Sequence, residues 1–308
     1  MSIVLITGAS TGIGNLTARA LAEAGHTVFA SMRDISDRNA EHATELLDLA
    51  QADGLDLRIV ELDVQSQASA NAAVATVVEQ TGRLDVVVHN AGHLVIGYVE
   101  AFTPDDLAHL LDINTIGAHR VNRAALPRLR DQRSGTLLYV GSTILVTTPP
   151  FLGPYVASKA AFDSLAVVTS YEVGQFGIET TIVMPGAILE GTSHFPNASR
   201  ASDGTVTAAY APLDPLVARN EEATAGLFAP GVVATPDRVA DEITRILALP
   251  IGQKPFRSVV DVADAGVDHV MRHVDNSREN FVLRMGYGDL LQLSSELEPS
   301  PSHQEAQR

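Results

Sequence analysis

Short apolar segments alternate along the chain with longer segments in which apolar residues recur every three or four positions. The short segments are continuous and β-branched, as in strands buried on both faces of a parallel sheet. They predict strands at Ser2–Ile6, Thr27–Ser31, Leu57–Leu62, Val86–His89, Thr136–Val140, Thr180–Met184 and Arg257–Val260. The longer segments predict helices at Asn15–Ala24, Arg38–Ala52, Gln67–Thr81, Pro104–Arg130, Tyr155–Phe176, Pro236–Leu249 and Asp264–Arg284. This alternation indicates an α/β fold, a doubly wound parallel sheet of about seven strands with helices on both faces.

The regular pattern stops between about residues 188 and 233, which are rich in Ala, Pro, Thr and Gly. Because the helical pattern resumes afterwards, this segment is predicted to be a lid over a substrate rather than a linker. Residues 1–293 are therefore predicted to form a single domain, with a C-terminal strand and helix at about 257–293. Residues 294–308 are polar and contain prolines, and a disordered tail is predicted there.

Composition narrows the possible functions. Of the 308 residues, 45% are hydrophobic and 19% charged, as in a globular protein. The absence of cysteine excludes disulfides, thiolate metal sites and cysteine nucleophiles. With 37 acidic and 21 basic residues the formal net charge is −16, which disfavours binding to nucleic acid or to anionic membranes. The first ten residues, MSIVLITGAS, lack the features of a signal peptide, and a cytoplasmic location is expected.

A glycine-rich segment joins the first predicted strand to the first predicted helix. It reads Thr7-Gly-Ala-Ser-Thr-Gly-Ile-Gly14, with glycines at Gly8, Gly12 and Gly14. Glycines at such a turn let a pyrophosphate approach the N-terminus of the helix, where free N–H groups and the helix dipole favour an anion. A glycine-rich turn without a ligand is the alternative, but the strand–turn–helix position favours a dinucleotide site.

Four polar residues suggest acid–base chemistry. Tyr155 and Lys159 stand four apart on a predicted helix, so the ammonium can lie near the phenol and lower its pKa. Ser142 follows the fifth predicted strand, and Asn114 lies in an otherwise apolar helical segment. Taken separately, Tyr155 and Lys159 can belong to a solvated helix face, Ser142 can be an ordinary hydroxyl at the end of a strand, and Asn114 can be a buried amide that bends its helix. Together they favour a site that moves a proton to or from a carbonyl or alcohol oxygen. His269 and His273 have the spacing of a zinc pair without a third ligand, so no metal is predicted.

In the order Asn114, Ser142, Tyr155, Lys159 behind the glycine loop, these residues resemble the catalytic tetrad of the short-chain dehydrogenase/reductase family. The similarity is to its single-domain branch, which includes 17-beta-hydroxysteroid and retinol dehydrogenases, and it implies a Rossmann-like fold. It further implies that Tyr155 is the acid/base, Ser142 polarises the carbonyl and Asn114 holds a water. His89 stands where the family has the first Asn of its NNAG element.

The resemblance also implies a set of cofactor contacts. Tyr155 and Lys159 would contact the nicotinamide ribose. The other implied contacts are Gly8, Ser10, Thr11, Gly12, Ile13, Gly14, Ser31, Arg33, Asp63, Val64, Asn90, Ala91, Gly92, Pro185, Gly186, Ile188 and Thr192. Thr192 is one residue later than the family threonine.

The end of the second predicted strand bears on the choice of cofactor. Neutral Met32 occupies the position where an NAD-binding member has an acid, and Arg33 follows it. An arginine can pair with a 2′-phosphate, and Ser31 can add a hydroxyl, so NADP(H) is predicted over NAD(H). The alternative is that Arg33 is a solvated loop residue and Asp34 takes the role of the acid.

The predicted function is an NADP(H)-dependent oxidoreductase that interconverts a secondary alcohol and a ketone on a mostly apolar small molecule. The predicted substrate pocket is formed by His93, Leu94, Leu145, Phe151, Leu152 and Phe195. One alternative is a catalytically silent NADP(H)-binding sensor or interaction protein, because a fold does not fix a function. Another is an epimerase or dehydratase of the extended branch, which the Gly8-Gly12-Gly14 spacing disfavours. A homodimer or homotetramer is expected through the helices that carry Asn114 and Tyr155.

Overall fold

Seven parallel strands form one sheet in the computed structural model, which describes residues 1–188, 190–192 and 195–294. The strands are β1 (Ile3–Ile6), β2 (Thr27–Met32), β3 (Leu57–Glu61), β4 (Val86–His89), β5 (Gly135–Val140), β6 (Ile178–Pro185) and β7 (Arg257–Val260). Their order across the sheet is β3-β2-β1-β4-β5-β6-β7. The order reverses between β1 and β4, and this switch point is where open α/β sheets bind ligands.

Helices connect the strands and cover both faces of the sheet. Those up to β6 are α1 (Gly12–Glu23), α2 (Ala40–Asp53), α3 (Gln67–Thr81), α4 (Pro104–Leu111), α5 (Gly117–Gln132), α6 (Ile144–Thr147) and α7 (Gly153–Gly174). Those after β6 are α8 (Gly204–Ala209), α9 (Asp214–Ala218), α10 (Asn220–Ala225), α11 (Asp237–Leu247) and α12 (Val267–Arg284). The doubly wound α/β fold predicted from the sequence is confirmed.

Alternate residues of each central strand contribute to opposite faces of the sheet. In β1, Leu5 packs into the hydrophobic cluster that includes Phe162 of α7, whereas Val4 and Ile6 pack into the cluster that includes Leu21 of α1. All of these side chains are almost fully buried. Two cores of this kind explain why the strand segments are apolar without interruption.

The predicted helix Pro104–Arg130 is divided in the structure. It begins as predicted, because Thr103 caps α4 through a reciprocal capping box with Asp106. A π-helical turn at Asp112–Ile116 then separates α4 from α5. This turn contains Asn114, and π-turns inside helices are frequently found at functional sites.

The predicted lid contains three short helices, α8, α9 and α10, where the sequence shows no sustained period. Of the predicted disordered tail, only Ser294 belongs to the part of the chain that the structure describes. In that described part, no helix is long and apolar enough to cross a membrane.

Candidate active site

The glycine loop lies at the carboxyl end of β1, directly before α1. Gly8 and Gly12 have positive φ angles of 67° and 58°, which favour glycine. Gly14 has no room for a side chain, because a Cβ there would lie 2.3 Å from the carbonyl oxygen of Gly8 and 2.4 Å from the Asn90 amide nitrogen. The backbone at Gly14 thus packs directly against the backbone at Gly8. Gly12 and Ile13, at the N-terminus of α1, line the cleft.

Asn90 ties the end of β4 to this loop. Its side-chain amide donates to the carbonyl oxygens of Thr7 and Gly8 at 3.0 and 2.9 Å. In return, the hydroxyl of Thr7 accepts from the backbone N–H groups of Asn90 and Ala91, both at 3.0 Å. A Cβ on Gly8 would lie 2.8 Å from the Cα of Ala91, so the two segments are in close contact. These contacts fix the loop before any ligand binds.

A single cleft of ≈ 1120 Å³ runs along the carboxyl ends of the strands. This exceeds the roughly 300–1,000 Å³ of a typical single-ligand pocket and leaves room for a dinucleotide and a substrate together. The sequence-predicted residues that line it are Gly8, Ser10, Thr11, Gly12, Ile13, Arg33, Asp63, Val64, Asn90, Ala91, Gly92, Ser142, Tyr155, Lys159, Pro185, Gly186, Ile188 and Thr192. Thr192 lies over the glycine loop, where its Cβ would be 3.6 Å from a Cβ on Gly12.

Ser31 does not reach the cleft. It is fully buried in β2, and its hydroxyl donates to the carbonyl oxygen of Ile6 at 2.8 Å. The expected hydroxyl contact with the cofactor is therefore not available from Ser31. Met32 and Arg33 do line the cleft, whereas Asp34, in a left-handed conformation with φ 52°, does not.

Further basic groups gather at the same end of the cleft. Arg38, which lies just before α2, and His42, in the first turn of α2, line the cleft together with Arg33. His109 lines it from α4. Burial lowers the pKa of His93, and the nearby His109, Arg33 and Arg38 lower it further. Arg33 and Arg38 therefore bring two positive charges to the cleft, although the chain as a whole is strongly acidic.

Tyr155 and Lys159 are both buried and line the same cleft. Burial raises the pKa of Tyr155 and lowers the pKa of Lys159 to about 8. The sequence predicts a lowered tyrosine pKa, and the structure gives the opposite direction because burial removes the hydration that would stabilise a phenolate. The amine of Lys159 donates to the carbonyl oxygen of Val140 at 3.0 Å. Tyr155 is consequently a neutral phenol at neutral pH, the form that can donate a proton.

Ser142 and Asn114 are positioned differently from each other. Ser142 follows β5 and lines the cleft, with its hydroxyl accepting from the N–H of Ile144 at 3.2 Å. The side chain of Asn114 is buried and does not line the cleft. Its carbonyl oxygen accepts from the N–H of His93 at 2.7 Å, and its amide donates to the His93 carbonyl and to Ser158, both at 2.9 Å. Asn114 thus braces the segment after β4 against α7.

His89 lies in a buried polar chain behind the site. Its Nε2 is 2.8 Å from the side-chain oxygen of Asn122, whose amide donates to the hydroxyl of Tyr139 at 2.8 Å. The rings of His89 and Tyr139 are stacked, with centroids 4.6 Å apart. Since Asn122 accepts there, Nε2 carries the proton, and Nδ1 is buried without a hydrogen-bond partner. Burial lowers the pKa of His89 to about 4.

The segment predicted to be a lid is held to the segment between β4 and α4. Ser199 exchanges backbone hydrogen bonds with Leu94 and Ile96, both of 3.0 Å. Tyr98 stacks on Tyr210 with centroids 4.7 Å apart, and its hydroxyl donates to Asp214 at 2.7 Å. Beyond Asp214, the hydrogen bonds of residues 219–233 that the structure shows are local to that segment.

The predicted substrate pocket is only partly as expected. His93, Leu94, Leu152 and Phe195 line the cleft. Leu145 instead packs against the main hydrophobic core, and Phe151 packs edge-on against Tyr98. Sequence reasoning missed Arg38, His42 and His109, which carry no motif, and Asn197 and Asn220, which lie in the irregular segment. Of these residues, only Arg38 carries a signal in the sequence, because it is a second arginine five residues after Arg33.

Comparisons with known proteins agree with this geometry. The family profile described as short chain dehydrogenase matches residues 2–201. The chain is 31% identical to a 3-ketodihydrosphingosine reductase of Bacteroides thetaiotaomicron over 64% of this chain and 68% of that protein. It is 35% identical to rat (Rattus norvegicus) estradiol 17-beta-dehydrogenase 1 over 61% of this chain but only 54% of the relative. An alcohol dehydrogenase from Thermococcus sibiricus, solved with 5-hydroxy-NADP, superposes with a TM-score of 0.66 at 25% identity, covering 84% of this chain and 96% of that one.

A doubly wound sheet with a dinucleotide loop at its switch point and a buried Tyr–Lys pair beside it defines a nicotinamide-dependent oxidoreductase. The chain belongs to the short-chain dehydrogenase family. It is an oxidoreductase of the class that acts on CH–OH groups, with a nicotinamide dinucleotide as its cofactor. The resemblance predicted from the sequence is confirmed.

Proposed function

We propose that the protein is an NADPH-dependent reductase of ketones carried on apolar small molecules. The observation that carries this proposal is that Ser142, Tyr155 and Lys159 line the same cleft as the glycine loop. The residues present fit the cofactor, because the glycine loop up to Gly12 and Ile13 lines the cleft at the N-terminus of α1, where a pyrophosphate is favoured. When bound, the nicotinamide supplies the hydride.

The residues of the chain supply the proton and the orientation. Tyr155, kept neutral by burial, is the acid that protonates the carbonyl oxygen, and the Ser142 hydroxyl donates a hydrogen bond to the same oxygen. Lys159 holds the nicotinamide ribose. The cleft wall near this site includes Leu94, Leu152 and Phe195, which favour an apolar substrate and exclude water.

The experiment that tests this proposal is a panel of apolar ketones and secondary alcohols assayed with NADPH and NADH. Turnover of several ketones with NADPH is the expected result. Tight NADPH binding without turnover of any compound would favour the silent sensor. The name of the sphingosine-related relative, a reductase, makes long-chain ketones a sensible part of the panel. A cytoplasmic location stays a prediction from the sequence.

The preference for NADP(H) is proposed from the basic end of the cleft. Arg33 and Arg38 line the cleft there, and neutral Met32 occupies the position of an acid. A 2′-phosphate would gain charge-assisted hydrogen bonds from the two guanidinium groups. The related alcohol dehydrogenase was solved with an NADP derivative, which is consistent with this preference.

We expect kcat/KM to favour NADPH over NADH by at least about tenfold, since a hydrogen bond to a charged group is worth roughly 1.5–3 kcal/mol. Arg33→Ala should remove most of this margin, and Arg38→Ala part of it. Steady-state kinetics with both cofactors on one ketone measure it. Arg272→Ala, an exposed arginine of α12, is the control and should keep the margin. A wild-type preference for NADH would contradict the assignment.

We also propose a homodimer or homotetramer. Between Ala157 and Val168, α7 exposes only uncharged side chains, which are Ala157, Ala160, Ser164, Leu165 and Val168, and the exposed Glu172 follows one turn later. Ile116 adds an exposed apolar side chain from the π-turn next to α5. Contiguous apolar surface of this kind marks interaction sites. Ala166 of the same helix is fully buried and belongs to the hydrophobic core.

Light scattering at micromolar concentration is expected to give at least a dimer. Leu165→Asp should shift the population toward monomer, because it would place a charge in the interface. Leu47→Asp is a matched control, since Leu47 of α2 is 46% exposed, as Leu165 is, but lies outside the uncharged segment of α7. A wild-type mass of one chain, about 33 kDa, would contradict the proposal.

The lid is proposed to have a fixed part and a moving part. Residues 195–214 are held by the contacts of Ser199, Tyr98 and Tyr210, so we expect slow hydrogen exchange there even without ligands. Residues 219–233 should exchange quickly alone and slow down by about tenfold or more with cofactor and substrate bound. Hydrogen-exchange mass spectrometry resolves the two segments. Equal protection of 219–233 with and without both ligands would exclude the moving part.

A further inference from the structure

The environment of the two lysines of this chain differs sharply. Both Lys159 and Lys254 are buried. Lys254 is compensated, because its amine lies 2.7 Å from the carboxylate of Glu179. Lys159 has no carboxylate within 4 Å among the residues that the structure describes, and its amine donates to the neutral carbonyl of Val140. A buried ammonium without a counter-ion is costly unless another group favours its charge.

The group that faces Lys159 is the ring of Phe162. The amine nitrogen lies over this ring at 5.0 Å from its centroid. The two residues are three apart on α7, so they share a face of the helix. The face of an aromatic ring attracts a cation within about 6 Å, and the attraction is stronger where both are desolvated. Phe162 is almost fully buried, which meets this condition.

We propose that Phe162 is a positioning residue whose ring face keeps the amine of Lys159 charged and in place at the cleft. The inference rests on the proposed role of Lys159 in holding the cofactor ribose. It goes beyond that role because it says what compensates the buried charge. Phe162 itself does not line the cleft and would touch neither cofactor nor substrate.

The ring of Phe162 is in turn held from behind. Tyr139 packs edge-on against it, with centroids 5.3 Å apart and an interplanar angle of 73°. The hydroxyl of Tyr139 is fixed by Asn122, and its ring is stacked on His89. The titratable groups around the pair are thus Tyr155 on the same helix, Tyr139 from β5 and, behind it, neutral His89 from β4. The polar group on β5 that contacts the amine directly is the Val140 carbonyl.

The titration of Lys159 can be measured directly because the chain has only two lysines. Lysine-selective isotope labelling gives two side-chain NMR signals, and Lys254→Arg assigns them. In Phe162→Leu, which keeps an apolar side chain and removes the ring, we expect the pKa of Lys159 to fall by about half a unit to one unit. Phe29→Leu is the matched control: Phe29 is also fully buried in the core, and the cation near its ring is Arg58. This control should leave Lys159 unchanged.

A second replacement keeps the shape of the ring and so avoids a failure to fold. Replacing Phe162 with 3,4,5-trifluorophenylalanine withdraws electron density from the ring face and should lower the pKa of Lys159 in the same direction. Phe162→Tyr retains the ring face and should keep the wild-type value. Its added hydroxyl would meet Asn122 and Thr169, which line the small cavity beside Phe162.

The outcomes separate this inference from the proposed function, because the titration is measured without turnover. A Lys159 that titrates in the leucine and trifluorinated proteins as it does in the wild type would overturn the inference. An equal shift in Phe29→Leu would overturn it as well, because the effect would then be general loosening of the core. A protein that reduces no ketone but shows the specific shift would contradict only the proposed function. As a second readout, NADPH affinity in Phe162→Leu should start to weaken at a pH about half a unit to one unit lower than in the wild type.

Discussion

Replacement of Tyr155 by phenylalanine is expected to lower kcat by two to four orders of magnitude and to leave cofactor binding nearly unchanged. General acid–base assistance contributes roughly 10²–10⁴-fold, and the phenol is the buried, protonated acid at the proposed site. The substitution removes one oxygen and keeps the ring that packs with Leu94 and Ile144. Stopped-flow NADPH binding and steady-state ketone reduction measure the two quantities separately.

Tyr171→Phe provides the control for this prediction. Tyr171 lies on the same helix, α7, but its hydroxyl accepts from Arg278, away from the cleft. It should keep both the turnover and the cofactor affinity of the wild type. If Tyr155→Phe retained tens of per cent of the wild-type activity on a good substrate, another group would have to be the acid.

Acidification is expected to destabilise the protein through His89. The folded protein holds His89 neutral with a pKa of about 4, whereas the unfolded chain has the ordinary value of 6.5. Between these values the unfolded state binds one more proton, so the free energy of unfolding falls as the pH drops from 6.5 toward 4. The loss from this group reaches about 2.5 kcal/mol at pH 4.5 and about 3 kcal/mol at pH 4.

The measurement compares wild type with His89→Asn, the residue that the family resemblance implies at this position. Urea unfolding at several pH values between 7.5 and 4.5 gives the difference in free energy of unfolding. This difference should move in favour of the asparagine variant as the pH falls, by the amount given above. His269→Asn changes an exposed histidine and should track the wild type. A difference that is constant with pH would show that His89 does not titrate as the structure implies.

The fold could be predicted from the sequence because its strands are continuous apolar segments, which a parallel sheet covered by helices on both faces buries. The break of the long helix at Asn114 could not. The π-turn adds about one residue to a helical turn, which changes the apolar pattern little. The hydrogen bonds that fix Asn114 in this turn come from His93 and Ser158, which are distant in sequence. Helices of five or six residues, such as α8 and α9, are too short to show a period at all.

The candidate site, too, could be predicted from the sequence only in part. Tyr155 and Lys159 could be placed together because helical geometry relates residues four apart. Ser31 was expected at the cleft on proximity to Arg33 alone, but it stands in a paired strand, and its hydroxyl bonds to the neighbouring strand at Ile6. Arg38 was not expected, because the turn at Asp34 that brings it back toward the cleft depends on a left-handed backbone. Burial, which decides the pKa values of Tyr155 and Lys159, is a property of the whole fold.

The burial of both lysines has a practical consequence for handling this protein. Neither side-chain amine can react readily with an activated ester while the protein is folded. Amine-directed labelling near neutral pH should therefore leave Lys159 and Lys254 unmodified in the folded protein, and modification of these two lysines would report that the fold has opened.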